Sequence, residues 1–147
     1  IERDVAQALK AELDTWYNGV IANENTLSPP RIEIGSVTGP VVLNRNDARG
    51  MPGIWRQRDI YGYWDITVVE SGLYDLRCVF LEELPAGGQL MIRCAPFQYT
   101  ISPDMVRNKE VYADRLRLDK GDYMLECRYS APGFYAFPFY IEIKRAD

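Results

Sequence analysis

Residues 60–80 read IYGYWDITVVESGLYDLRCVF, and the alternation within them decides the fold class. Trp64, Ile66 and Val68 alternate with Asp65 and Thr67. After Glu70-Ser71-Gly72, Tyr74, Leu76, Cys78 and Phe80 alternate with Asp75 and Arg77. A period of two over this length marks strands with one buried face. The aromatic and β-branched residues at the inward positions suit a pleated, half-buried surface. The triplet 70–72 predicts a tight hairpin turn, with Gly72 supplying a positive φ. Trp64 and Tyr74 are then expected to be buried on neighbouring strands, at the centre of a sandwich core.

Further strands are expected on both sides of this stretch. Ile32–Ile34 and Val41–Leu43 precede it. Gln89–Cys94, with Leu90, Ile92 and Cys94 inward, and Phe97–Ile101 follow it. Val111–Leu118 and Asp122–Tyr129 read as a second hairpin about Asp119-Lys120-Gly121, and Phe137–Lys144 as the last strand. The two hairpin segments echo each other: ESGLYDLRCVF (70–80) and DKGDYMLECRY (119–129) share Gly, Tyr, Leu, Cys and an aromatic at matching offsets. An internal repeat would produce this, and so would two chains leaving similar turns into one core; the second reading is the simpler. Eight or nine short strands with regular turns predict a mainly β fold, an antiparallel β-sandwich of jelly-roll type with one N-terminal helix.

That helix is expected over residues 2–18, where Val5, Leu9, Leu13 and Trp16 recur at helical spacing. Asn18-Gly19 supplies a stop. The domain reading is an N-terminal helical segment 1–21 at the junction to an upstream domain, a linker 22–30 rich in turn formers with Pro29-Pro30, and a sandwich domain 31–147. The stripe must bury on the sandwich or on upstream sequence. The chain begins at Ile1, as expected of a mature product or an excised fragment.

Composition prunes the functional classes. The 147 residues suffice for one domain with a substantial core. A net charge of −4 without a basic run argues against nucleic acid. No apolar run approaches the ~20 residues of a membrane span. The chain has no His, which removes the commonest general base, the Ser-His-Asp triad and His-ligated metal sites. Its three cysteines, Cys78, Cys94 and Cys127, lie in phase with apolar neighbours and are expected as buried thiols packing as small hydrophobes. A disulfide between two of them depends on a distance that sequence does not fix. Glu82-Glu83 and Asp119/Asp122 lie at turns, which is reason enough for carboxylates there.

The long irregular stretch Asn44–Arg58 is the candidate functional loop. Trp55, Tyr61 and Tyr63 cluster beside it, with both tyrosines expected on the face opposite Trp64. Exposed aromatics can stack on the apolar faces of sugar rings. Asn46, Arg56, Arg58 and Asp59 offer hydrogen bonds or a seat for an anion such as sulfate. The candidate ligand-binding residues are therefore Trp55, Arg56, Arg58, Tyr61, Tyr63 and Asn46. The plainer account of Trp55 is an anchor holding the loop on the core. A second aromatic group, Phe134, Tyr135, Phe137, Phe139 and Tyr140, is core or a contact surface. No catalytic residue and no metal ligand is assigned.

The order of segments carries a resemblance. AELDTWY, RIEIGS, VVLNRNDARG, IWRQ and GYWDITVVESGLYDL follow in sequence, the last matching a pattern G-x-W-x-V-x-V-x-x-x-G-x-Y at Gly62, Trp64, Ile66, Val68, Gly72 and Tyr74. Over most of its length the chain resembles the C-terminal accessory region of bacterial arylsulfatases of the alkaline-phosphatase-like superfamily. Similar hairpins occur in carbohydrate-binding β-sandwiches. The resemblance implies a non-catalytic domain that packs on a sulfatase catalytic domain of the same polypeptide and helps recognise sulfated carbohydrate. It implies a periplasmic or extracellular setting. Calcium and formylglycine are implied only for the catalytic domain, and no cofactor for this chain. Cys94-Ala95-Pro96-Phe97-Gln98 departs from the sulfatase motif Cys-x-Pro-x-Arg at Gln98 and reads as coincidence. The alternative is an independent carbohydrate-binding module.

Overall fold

The computed structural model describes residues 2–28, 30–54, 56–101 and 106–146. Two compact units meet between Arg31 and Ile32. The first holds helix α1, Glu2–Ile21, and a one-turn helix α2, Glu24–Leu27. Helix α1 passes through the expected stop at Asn18-Gly19, because the amide of Ala22 still finds the carbonyl of Asn18 at 3.1 Å. The segment expected as a plain linker carries α2, whose Thr26 hydroxyl donates to the carbonyl of Val20. On α1 itself Lys10 and Asp14 pair at 2.8 Å, one turn apart. On its apolar stripe Leu9, Leu13 and Trp16 are exposed.

The second unit is the sandwich. Its strands are β1 (Ile32–Ile34), β2 (Val41–Asn44), β3 (Arg49–Gly50), β4 (Gly62–Val68), β5 (Gly72–Val79) and β6 (Gln89–Cys94). They continue as β7 (Phe97–Ile101), β8 (Val106–Arg107), β9 (Glu110–Leu118), β10 (Gly121–Ala131), β11 (Phe134–Ala136) and β12 (Tyr140–Arg145). One sheet has the order β1-β4-β10-β6-β7, with β3 also on β4 and β11 also on β10; the other runs β2-β12-β5-β9-β8. All pairings are antiparallel except that of β1 with β4. The mainly β, jelly-roll reading of the sequence holds. The last expected strand, Phe137–Lys144, begins only at Tyr140 as β12, beyond Pro138, which has no amide hydrogen for a ladder, and the short β11 before it was not expected.

The inward faces are those the alternation predicts. Trp64, Ile66 and Val68 from one sheet and Tyr74, Leu76 and Cys78 from the other are at most 2 % exposed. The pairing is different. Strands β4 and β5 share no ladder; they lie in opposite sheets, so residues 69–71 form an arch across the core rather than a hairpin turn. Strands β9 and β10 are likewise split between the sheets. Gly72 is not among the glycines with positive φ, since no hairpin requires it to be. Trp64 and Tyr74 therefore belong to opposed layers. An alternation of period two shows which face is buried and is silent on which strand sits beside which.

The arches also account for the echo between 70–80 and 119–129. The hydroxyl of Tyr74 donates to the carbonyl of Glu70 at 2.6 Å, and that of Tyr123 to the carbonyl of Asp119 at 3.0 Å. Each tyrosine thus clamps its own arch four residues back, as a tyrosine corner does in other sandwiches. The first corner needs Gly35 alongside, where a Cβ would come within 2.5 Å of the Tyr74 hydroxyl oxygen. Four residues after each tyrosine comes a cysteine, and Cys78 and Cys127 meet across the core with their Sγ atoms 3.6 Å apart. All three cysteines are buried free thiols. Burial pushes the Cys94 thiol up to about 12, as expected of a small core hydrophobe and not of a nucleophile.

Candidate functional site

The loop from Asn44 to Tyr61 is long, yet it is tied down from within. Asn44 caps a 3-10 turn, Arg45–Asp47, by accepting the amide of Asn46 on its side chain. Arg45 turns inward and is 3 % exposed. Its guanidinium donates to four carbonyls: Pro138 at 2.9 Å, Phe137 at 2.5 Å, Ile54 at 3.1 Å and Gln57 at 2.9 Å. It also lies 5.5 Å from the centroid of the Phe137 ring. Loop residues 54 and 57 are in this way locked to the connection between β11 and β12. Ile54 then presses onto Gly62, where a Cβ would fall 2.1 Å from its Cδ1 and 2.9 Å from Phe137 Cζ. The motif glycine is therefore a docking point for the loop. Trp64 stacks on Phe137 beneath it, with ring centroids 4.8 Å apart, and donates its indole N–H to the carbonyl of Asn44 at 2.7 Å.

On the surface this arrangement frames a hollow of about 250 Å³ lined by Met51, Asp59, Tyr61, Arg128 and Tyr135. Met51, Tyr61 and Tyr135 are each about half exposed, at 58, 47 and 50 %. The Arg128 guanidinium sits 5.2 Å from the centroid of the Tyr135 ring. Tyr61 and Tyr63 tilt against each other at 6.4 Å. Desolvation, and then the hydrogen bond to Glu126, hold the Tyr61 hydroxyl above its ordinary pKa, so at neutral pH it is a neutral phenol. Among the described residues, neither Asp59 nor Arg128 forms an ion pair or hydrogen bond through its side chain. The hollow thus offers the face of Tyr61, the ring of Tyr135 with the Arg128 guanidinium over it, a thioether and a carboxylate. That combination can hold a ring with an apolar face and hydroxyl edges.

The sequence-predicted residues divide. Tyr61 and Tyr63 are on the outer face as expected, and Tyr61 is central to the hollow. Asn46 is exposed and lines a neighbouring depression with Met51, Pro52 and Ile54. Arg56 is exposed and lines neither. Arg58 is half-buried and committed elsewhere, paired with Glu82 at 3.0 Å and lying 4.4 Å from the Phe134 centroid. Trp55 lies outside the described residues. Three site residues escaped sequence reasoning. Tyr135 belongs to the C-terminal aromatic group of the sequence, and its alternation with Ala136 turns it outward. Arg128 was legible as outward, between Cys127 and Tyr129, but nothing in sequence pairs its strand with Tyr61. Met51 had no signal. No cluster of three or more Cys, Asp or Glu side chains placed to hold a metal occurs among the described residues. No helix among them is long and apolar enough to cross a membrane.

No family model matches the chain, and no curated protein matches it. Among solved structures, a ruminal GH26 endo-β-1,4-mannanase is similar at 18 % identity and a TM-score of 0.49, over 74 % of this chain and 26 % of that one. The GH26-CBM35 β-(1,4)-mannanase of Podospora anserina is similar at 15 % identity and a TM-score of 0.48, over 76 % of this chain and 28 % of that one. The chain spans about a quarter of the length of these structures. The comparisons lend the sulfatase resemblance no support, and the residues that carried it are interior: Trp64, Ile66, Val68 and Tyr74 have no exposed surface. What they encode is the packing of a sandwich.

Proposed function

We propose that this chain is a non-catalytic carbohydrate-binding β-sandwich domain whose glycan site is the hollow between Tyr61 and Tyr135. The observation that carries the reading is the pair of half-exposed tyrosines lining one hollow with Asp59 and Arg128, whose side chains form no ion pair or hydrogen bond among the described residues. A sugar ring laid on Tyr61 would bury its apolar face, while the carboxylate and guanidinium take hydroxyls as acceptor and donor. The sequence resemblance supports a narrower version, in which the domain serves an arylsulfatase catalytic domain of the same polypeptide.

The test is electrophoresis of the purified chain through gels containing soluble polysaccharides, neutral ones in one set and sulfated ones in another. Retardation by at least one polymer is expected, and Tyr61→Ala should abolish it while leaving the melting temperature near that of the parent. Retardation that survives both Tyr61→Ala and Tyr135→Ala would place the glycan elsewhere. Retardation by no polymer would end the reading.

A further inference from the structure

Three depressions on this face share residues. The one lined by Asn46, Pro52 and Ile54, about 500 Å³, meets the tyrosine hollow at Met51. The tyrosine hollow in turn shares Tyr61 and Arg128 with a notch of about 70 Å³ that is closed by Met91 and Glu126. The ladders explain the alignment. Gly50 pairs with Gly62, Tyr63 with Glu126, and Arg128 with Met91. Just past the ends of β3 and β4 the amide of Met51 still donates to the carbonyl of Tyr61 at 3.3 Å, and Tyr61 and Arg128 line the same two depressions, so Met51, Tyr61, Arg128 and Met91 follow one another over four neighbouring segments. Neighbouring strands lie about 4.8 Å apart, so such a row runs roughly 14 Å. That is the span of an oligosaccharide, several times the footprint of a single ring.

The charges along the row cancel. Asp59 stands with Arg128 in the central hollow, and Glu126 in the notch lies 4.0 Å from Arg93. Arg45 has spent its guanidinium on four carbonyls, and Arg58 pairs with Glu82. Among the described residues, no cluster of uncommitted cations lies along this row to receive sulfate or carboxylate groups. Resting on the glycan reading above, we propose that the site is a groove that runs across the strands from Met51 to Met91 and takes a neutral glycan chain along its length, with Tyr61 at the centre. The ligand is an internal run of uncharged sugars, recognised by stacking and hydroxyl contacts; neither a terminal residue nor a sulfated polymer fits the geometry and charge of the row.

The experiment is calorimetric titration of the full chain with mono- to hexasaccharides cut from whichever polymer retards it. Affinity should rise about tenfold or more from disaccharide to tetrasaccharide and then level off. Because the contacts are uncharged, raising salt to about 0.5 M should change it by less than about twofold. Met91→Asp, at the far end of the row, should lower tetrasaccharide affinity and leave disaccharide affinity unchanged, whereas Met51→Asp, in the central hollow, should lower both. Equal affinity for mono- and tetrasaccharide would overturn the groove. Binding confined to sulfated polymers and lost in salt would overturn the neutral class while leaving the glycan reading intact. If no polymer in the panel retards the chain, the glycan reading fails and this inference falls with it.

Discussion

Trp64 has no exposed surface, stacks on Phe137 and spends its one polar atom on the carbonyl of Asn44. Truncation to alanine removes a large aromatic from a close-packed interior and leaves that carbonyl unpaired, so Trp64→Ala should cost about 3–5 kcal/mol in a denaturant melt. Asp65, one residue on, points the other way and pairs with Arg49 at 3.0 Å. Asp65→Ala should cost about 1 kcal/mol or less, the scale of a partly solvated pair. Equal costs would mean that the two faces of β4 have been exchanged. Arg45 is a different case, a buried charge whose partners are all carbonyl oxygens. Arg45→Met keeps the stem and strands four acceptors, two of them on the loop. A loss of about 3 kcal/mol or more is expected, with glycan affinity falling in step because the same bonds frame the hollow. Full retention of both would show that the loop is held by something else.

At the scale of elements, the outer face of the second sheet is joined by one guanidinium. Arg77 on β5 donates to Glu110 on β9 at 2.6 and 3.1 Å and to Glu142 on β12 at 3.0 Å, and Tyr112 donates to Glu110 as well. The Arg77 hydrogen bonds, followed by that from Tyr112, lower the Glu110 carboxyl to about 2. A carboxyl depressed in the folded state contributes stability that is full above its unfolded pKa of about 4.3 and is lost as pH falls through the folded value. Stability should therefore drop between about pH 4 and pH 2, and Glu110→Gln should flatten that part of the profile while leaving the slope above pH 5 unchanged. An unaltered acid limb in the variant would show that other carboxylates set it. Strand existence and facing were legible because burial has a period of two. The partners of each strand were not: an arch and a hairpin present the same alternation and the same polar turn, and they differ only in contacts many residues apart. Arg128 and Tyr135 show the same limit at the site, being outward by pattern and brought together only through the ladder of β10 with β11.

At the scale of the whole molecule, the resemblance to a sulfatase region and the geometry of the groove bear on different parts of the chain. The motif side chains Trp64, Ile66, Val68 and Tyr74 are interior, while the groove side chains Met51, Tyr61 and Arg128 lie outside the motif and on the surface, so the motif could announce a sandwich without announcing its ligand. The helix α1 stripe is a separate feature, exposed at Leu9, Leu13 and Trp16. Every residue of the sandwich core, from Ile34 to Ile143, lies beyond the division at Arg31, and the partly buried residues packed against that core begin at Ile32. The first strand, β1, keeps its parallel ladder to β4, with Ile32 opposite Ile66 and Ile34 opposite Val68. Removing residues 1–31 should therefore leave a chain that melts in one cooperative transition, with the near-ultraviolet signal of its buried Trp64 and Tyr74 preserved. Its polysaccharide retardation should match that of the full chain, since the groove is built from residues 51–135. The truncation also removes Leu9, Leu13 and Trp16, so it should be more soluble than the full chain. Loss of the cooperative transition would show instead that α1 belongs to the sandwich core and that the division at Arg31 does not separate two independent units.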